Sequence, residues 1–594
     1  MTTLAAPPSS GVLGQAVLHR VDSLDDLDAF RRWAGEQRDW MGFDTETSSL
    51  DTYRCRHRMT QLGDRWQGWA FSPHWMGGAH EVMARYQGPL IAFNLPFDYR
   101  VLRRSGLLLP WVQCHDAQLI THLSDSTGAT ALKARASADI DPAAVIGEQK
   151  LKAAMKANGW DHATVPDDLK QYWLYGAMDP VSTVWLADKH WPVVASRYAY
   201  AYDLERAYSR LAVSMMDAGL MIDRDYINAT IDRFSAYRQH VIGWLGQYGI
   251  TSPEAAAQVG AALVGLGLPE QVLWHTKTGQ VQTDVKAMEH YAANCADAIE
   301  FIQAVQGAKK AGKVISTYLA KMLAMAGLDD VVHYSIHTIG AQRTSRSSIS
   351  DPSMQNYSRD IPQVRGGFRP RPGHVLISWD ADQIEMRLAA HFSGDRQLIA
   401  DFAHCDANGL SFFLEFARTI YGPITKKDPR YTTSKNTAYG TVYGSGEETA
   451  AATAGVTLDV IQPIYRAWKA RYRQLDRWAR GLVNEQKHVK RPHTTTLHGR
   501  VLYARIGREY GLVDYKIQGT AAEFLKLAAL NVEANGYGHL LRLPVHDELI
   551  AEVPIADAEH VLAEVTKILN ATTADLKVPI TWSGNIMPER WMKV

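Results

Sequence analysis

The stretch Val375-Leu-Ile-Ser-Trp-Asp-Ala-Asp-Gln-Ile-Glu-Met-Arg-Leu-Ala-Ala-His391 leaves few folds open to this chain. Its first half is apolar and β-prone and predicts a buried strand ending at Asp380. From Gln383 the spacing turns helical, with Ile384, Leu388 and His391 on one face. A carboxylate at a strand-to-helix junction stands on the rim of a sheet, where a metal ion can sit. Most aspartates at strand ends are turn or capping residues, so Asp380 alone decides little. A second acidic cluster, His546-Asp547-Glu548, lies far downstream. Leu541, Leu543 and Val545 alternate before it and Leu549, Ala551 and Val553 after it, which predicts a tight β-hairpin with His546-Asp547 at the tip. The tip lacks the Gly or Asn that hairpins favour, a local conflict of the kind functional sites show. Two aspartates on adjacent strands can hold a pair of Mg²⁺ ions about 3.5–4 Å apart, the arrangement that serves in-line phosphoryl transfer.

At 594 residues the chain is too long for one core. Lys plus Arg equals Asp plus Glu at 63 each, so any nucleic-acid contact must come from local basic segments. The cysteines Cys55, Cys114, Cys295 and Cys405 form no CxxC pair, which argues against structural zinc and against a disulfide framework. The start shows no basic-then-apolar signal pattern, and no apolar run is long enough to span a membrane. The expectation is a cytoplasmic chain with no membrane partner.

The first third carries more carboxylates. Met41-Gly-Phe-Asp-Thr-Glu-Thr47 reads as a strand edge on which Asp44 and Glu46 face the same side. Pro89-Leu-Ile-Ala-Phe-Asn-Leu-Pro-Phe-Asp98 reads as a strand leading to Asn94 as helix cap, with Pro96 and Asp98 in the first turn. Tyr175 and Asp179 are spaced to share a helix face. Each pair alone would be an ordinary polar surface feature. Crowded together, four carboxylates repel one another unless divalent cations neutralise them.

Three further patterns complete the set. His337-Thr-Ile-Gly-Ala-Gln-Arg-Thr-Ser-Arg-Ser-Ser348 precedes the first aspartate motif. Lys435, Tyr439 and Tyr443 form one stripe on a helix that Asp428 caps and Pro429 opens, a cation above two aromatic faces that suits a nucleotide. Lys516-Ile-Gln-Gly-Thr-Ala-Ala-Glu523 follows a segment from Ile464 to Arg508 in which Arg and Lys interleave with Tyr465, Trp468, Tyr472 and Trp478. Such composition suits template phosphates and unstacked bases.

In this order the motifs resemble the family A DNA polymerases, the DNA polymerase I type, from about Met41 onward. The N-terminal set resembles the 3′-to-5′ proofreading exonuclease of the four-acidic-residue class with a tyrosine in its third motif. The resemblance implies α/β and α+β domains: a ribonuclease H-like exonuclease over 1–200 with a lead at 1–15, a thumb over 201–330, palm over 331–397, fingers over 398–494 and palm again over 495–594. With no segment left over for a 5′-nuclease domain, the compact bacteriophage form is expected. By the same resemblance Asp44, Glu46, Asp98 and Asp179 are metal ligands and Tyr175 orients the attacking water. Asp380, the Ala381 carbonyl and Asp547 bind two Mg²⁺ at the polymerase site, two more serve the exonuclease, and Mn²⁺ can substitute. Glu548 supports the site from nearby, and Glu385, beside Gln383, excludes a ribose 2′-hydroxyl. Lys435, Tyr439, Tyr443 and Gln383 contact the nucleotide; Arg346, Gln518, His546 and Lys313 contact DNA.

Some departures stand out. Ser345 and Asp514 occupy places where the family has Gly and Asn. Tyr431 replaces the family's arginine on the Lys435 face, with Arg430 one residue earlier. In a straight helix Arg430 points off that stripe, which leaves Arg430, Lys426 and Lys427 as candidates for the triphosphate contact. The expected partners are primer-template DNA and dNTPs, acting on a monomer. Two alternatives are a nuclease with a decayed polymerase half and a single-subunit RNA polymerase. Intact carboxylates oppose the first; Glu385, the His-Asp-Glu order and the proofreading motifs oppose the second.

Overall fold

The computed structural model describes residues 2–5, 11–357 and 360–592. Its N-terminal body is built on a seven-stranded mixed sheet of β1 (Thr2–Ala5), β2 (Val17–Val21), β3 (Met41–Thr47), β4 (His57–Gly63), β5 (Gln67–Phe71), β6 (Leu90–Ala92) and β7 (Cys114–Asp116). The strand order is β1-β2-β5-β4-β3-β6-β7. β3 is therefore interior, paired antiparallel with β4 and parallel with β6, and not the strand edge its short acidic sequence suggested. Strand alternation sorts its residues: Met41 and Phe43 enter an aromatic core with Phe30, Trp33, Trp69 and Phe71, while Gly42, Asp44 and Glu46 take the other face.

That other face is covered by the long helix Lys170–Arg197. The helix lies so close that a Cβ on Gly68 would stand 2.0 Å from the Ala177 carbonyl oxygen, and one on Gly42 would stand 2.5 Å from that of Pro180. The glycine floor brings Tyr175 and Asp179 down to the level of the β3 carboxylates. Asn94 differs from the cap expected of it. It adopts a left-handed φ of 68° with no side-chain cap bond. Asp116, at the end of β7, accepts instead from the Asn94 and Leu95 amides at 3.0 Å each, because β6 and β7 run parallel and end together.

After a break at Tyr198 the helix Ala199–Ala218, which on sequence opens the 201–330 segment, packs its buried face into the C-terminal core. A helical excursion, with Arg224–Leu245 against Ile299–Lys313, is closed at its base by β8 (Leu220–Met221) pairing with β9 (Val331–Val332). β10 (Ser335–Ala341) and β11 (Arg346–Ser350) form a ribbon. The C-terminal sheet joins β12 (His374–Ala381) with the three last strands of the chain. β13 (His493–Thr495) and β14 (Val501–Tyr503) make a separate hairpin, while β15 (Leu541–Val545), β16 (Glu548–Pro554) and β17 (Trp582–Met587) complete the order β15-β16-β12-β17. β12 is central and buried on both faces, which explains its unbroken apolar run.

Between β12 and β13 lies a helical lobe with a stacked aromatic core, Phe402 on Phe412 at 4.2 Å, alongside Phe416, Trp468 and Tyr472. Buried Asp395 ties its two stalks together: its carboxylate accepts from the Leu398 amide at 3.0 Å and from the Gln474 and Leu475 amides at 2.8 and 3.1 Å. Among the described residues no helix is long and apolar enough to cross a membrane.

The glycine floor yields a test. Gly68→Ala gains the roughly 0.4–1 kcal/mol of reduced unfolded-state freedom. It also drives a methyl into backbone, and overpacking costs about 1–3 kcal/mol. Denaturant unfolding should show net destabilisation, whereas Gly77→Ala, with open space around its Cβ, should be neutral or stabilising.

Candidate functional site

Two carboxylate clusters result. In the N-terminal body, Asp44 and Glu46 on β3 and Asp179 on the long helix bring oxygen atoms within 4.8 Å of one another. Asp98 stands beside this trio with one oxygen engaged by the Thr45 amide at 2.8 Å and the Thr45 hydroxyl at 2.7 Å. Burial pushes the Asp44 carboxyl up to about 7 and the Glu46 carboxyl up to about 8; the Asp44 charge adds to the second shift. Burial, with the Asp44 charge, also holds the Asp98 carboxyl well above its ordinary range. Tyr175 completes the wall, and burial keeps its phenol protonated.

The sequence reading missed a cation here. Lys133, buried on the helix Leu132–Asp139, ion-pairs with Asp179 and lies 4.5 Å from the centre of the Tyr175 ring. Burial lowers its ammonium to about 8, against the pull of Asp44 and Glu46. Lys133 sits in an ordinary alanine-rich helix, and only the charge imbalance of the acidic group hinted that a cation must stand close.

The second cluster is set by strand register. β12 and β16 pair so that Asp380 stands opposite Glu548, while the Ala381 amide donates to the Asp547 carbonyl at 2.9 Å. The two aspartates therefore meet at one rim of the sheet. Asp547 shares the hairpin tip with His546, whose φ of 54° is the left-handed conformation that Gly or Asn would adopt readily. The His546 ring donates from Nε2 to the Gln355 carbonyl at 2.9 Å. Burial raises the Asp547 carboxyl, opposed by the Arg346 guanidinium. Glu548 is fully buried and paired with Arg365 at 3.2 Å; Arg365 also donates to the Tyr357 carbonyl and lies over the Trp591 ring. No spacing in the sequence linked Arg365 to Glu548.

Around Asp547 lies a cavity of about 180 Å³, lined among others by Arg346, Gln355, Ala521, Ala522 and His546. Glu385 links the β10–β11 ribbon to the helical lobe: Arg346 ion-pairs with one of its oxygens and the Tyr443 hydroxyl donates to the other. Asp514 stands within its field, and burial together with the Glu385 charge pushes that carboxyl up to about 6. Gln383 precedes the helix Ile384–Ser393 with a φ of 52°, and its buried side-chain oxygen has no hydrogen-bond partner among the described residues. Half-buried Gln518 sits on the helix Gly511–Ala534, one turn before the cavity wall.

On the helix Pro429–Val442, Lys435 and Tyr439 flank the Phe413 ring at 5.9 and 5.1 Å, and Tyr443 ends the helix. Arg430 is ion-paired with Asp428 at 2.7 Å and covers the Tyr421 ring, on a different side from Lys435. Lys313 is exposed at the end of its helix, far along the chain from both clusters.

The model of DNA polymerase family A matches residues 226–593. Similarity extends over nearly the whole chain to the DNA polymerase of Mycobacterium phage D29, 27% identical over 574 residues, with 92% of this chain and 93% of that one covered. The DNA polymerase of Mycobacterium phage L5 is 25% identical over 573 residues, covering 92% of each. DNA polymerase I of Helicobacter pylori J99 is 27% identical over 416 residues, which is 66% of this chain and 44% of the relative. In fold, the chain is similar to the POL domain of Pol1 from M. smegmatis, solved as a complex with DNA primer-template and dNTP, with a TM-score of 0.75 at 20% identity over 96% of this chain and 99% of that one.

The raised carboxyls make stability pH-dependent. Folded Asp44 and Glu46 keep protons up to about pH 7 and 8, which the unfolded chain releases near 4. Between those limits the folded state binds more protons, so stability is greatest at the acid end and falls as pH rises. Thermal melting without divalent cations should drop from pH 5 to 7.5 more steeply than in an Asp44→Asn/Glu46→Gln variant. Parallel profiles would show that these carboxyls are not desolvated.

Proposed function

The chain belongs to DNA polymerase family A, and we propose that it extends a primer 3′ end on a DNA template and edits that end with a 3′-to-5′ exonuclease in its N-terminal body. The observation that carries the second activity is the convergence of Asp44, Glu46 and Asp179 oxygens within 4.8 Å. All donors there are hard oxygens, which suit small divalent cations. Mg²⁺ would be held by these three with Asp98 close by, and by Asp380, Asp547 and the Ala381 carbonyl in the palm. Mn²⁺ would serve as a substitute. Such ions supply charge neutralisation and polarise the phosphoryl oxygens for in-line displacement.

The chain's own residues account for the rest. Lys435 is the candidate for the triphosphate and Tyr439 and Tyr443 for the nucleoside, on the helix face that Phe413 supports. Glu385, held from both sides by Arg346 and Tyr443, is shaped to exclude a 2′-hydroxyl. Arg346, Gln518 and His546 would meet the primer end at the cavity beside Asp547, where minor-groove acceptors are nearly sequence-independent. Lys313 would contact backbone phosphate. The position of Arg430 against Asp428 favours Lys426 or Lys427 for any additional phosphate contact. In the exonuclease site Tyr175 would orient water while Lys133 offsets the acidic charge. Full-length likeness to two mycobacteriophage polymerases supports a role in phage DNA replication.

The two activities should separate. Losing a metal ligand removes several kcal/mol of transition-state stabilisation, on the order of 10²–10³-fold in rate. Asp98→Ala should lose mismatch excision by that factor and retain extension; Asp547→Ala should do the reverse. Loss of both in either folded variant overturns the two-site reading.

Sugar selection gives a second test. In an Asp98→Ala background, Glu385→Ala should raise ribonucleotide use relative to deoxynucleotide use by about tenfold or more, the worth of one group excluded from a shaped pocket. An unchanged ratio removes Glu385 from that role.

A further inference from the structure

Behind the cavity at Asp547 lies a group of charges with no solvent. Glu205 is 0% exposed, and Arg500, Glu523 and Lys526 are each 1% exposed. They come from the helix Ala199–Ala218, the end of the β13–β14 turn and the helix Gly511–Ala534. Lys526 donates to both Glu205 oxygens at 2.8 Å, to the Thr338 carbonyl at 2.9 Å and to the Ser345 carbonyl at 2.8 Å. Arg500 links Glu205 to Glu523, and Thr496 and His498 hold the far side of Glu523. Four buried charges are a poor way to gain stability, since apolar side chains of equal volume commonly do as well or better. What such a cluster supplies is a defined position.

The part positioned is the turn from Gln342 to Ser345. Ser345 is fully buried at a φ of 57°, a strained conformation for serine, and Lys526 grips its carbonyl. The next residue is Arg346, which faces Glu385 and the Asp547 cavity. The other end of the turn is held by the N-terminal body: the His122 ring donates to the Gln342 backbone carbonyl at 2.8 Å, and the Gln342 side-chain amide donates from Nε2 to the Gly128 carbonyl. Arg343 reaches the Tyr503 carbonyl at 3.0 Å, and the Tyr503 amide donates to Ser126.

We infer that Lys526 and Gln342 are positioning residues that fix Arg346 at the primer end and make its placement depend on how the N-terminal body is seated. This rests on the proposed contact of Arg346 with the primer terminus. One end of a four-residue turn is bonded to the body that would remove a wrong nucleotide, and the other end leads into the side chain that would sense it. A shift of the body against the palm therefore moves Arg346 without any change at the palm carboxylates.

Single-turnover extension of matched primers, in the full chain with Asp98→Ala, tests this. Arg346→Ala should slow the maximal rate. Lys526→Met should slow it about tenfold with nucleotide affinity within about twofold, and adding Arg346→Ala to it should cost no more than Arg346→Ala alone, as for coupled neighbours. Gln342→Ala, a milder change in a half-buried turn, should cost about threefold and be absorbed by Arg346→Ala in the same way. It also carries the test if Lys526→Met does not fold. With Asp98 intact, Gln342→Ala should digest single-stranded DNA at the unaltered rate. Losses that multiply with Arg346→Ala, or a Gln342→Ala enzyme with full extension rate, overturn the inference while leaving the primer-end role of Arg346 standing. An Arg346→Ala enzyme of full rate overturns both.

Discussion

The hydrogen bond from the Ala381 amide to the Asp547 carbonyl joins two stretches separated by most of the C-terminal half of the chain. It extends the β12–β16 ladder by one step past the last paired residues, so it can form only in one register. A slip of a single residue would turn Asp380 to the opposite face of the sheet and send the apolar residues of β12 out of the core. The burial of β12 on both faces thus protects the meeting of the two aspartates. β17 on the other side of β12 and the Arg365–Glu548 pair beneath the tip reinforce the same alignment.

The two acidic clusters manage their repulsion differently. The C-terminal pair sits at a rim, with Arg346 in its field and Arg365 taking up the charge of Glu548. The N-terminal group is sunk under a helix that rests on glycines, so burial pushes protons onto it and Lys133 balances part of what remains. Desolvation dominates there because the helix packs directly on the sheet at Gly42. Any cation entering that site competes with protons and with an ammonium.

Much of this was legible in the linear chain. The β12 strand, the hairpin tip at His546-Asp547 and the helix opened by Asp428 and Pro429 follow from periodicity and caps, and the structure has each of them. Helix geometry alone placed Arg430 off the Lys435 face, and Asp428 holds it there. What escaped is non-local. Lys133, Arg365 and Lys526 act on carboxylates brought to them by tertiary packing, and a lone basic residue in a helix carries no mark of its partner. Asn94 failed as a cap because Asp116, on a neighbouring strand, offered both its oxygens to the same helix start. The Met41–Thr47 stretch reads as a strand edge, but β3 lies between β4 and β6, and its acidic residues face the covering helix.

The bonds at Asp395 have a mechanical consequence. The helical lobe begins at the helix Arg396–Asn408 and ends at the helix Arg473–Gln486, and one buried carboxylate holds the first turns of both. The two ends of the segment that carries Lys435 and Tyr439 are therefore clamped to each other at one buried carboxylate. Parting the two stalks would break the bonds to the Gln474 and Leu475 amides. The entry and exit of the lobe therefore shift together, and the helix that carries Lys435 and Tyr439 follows both.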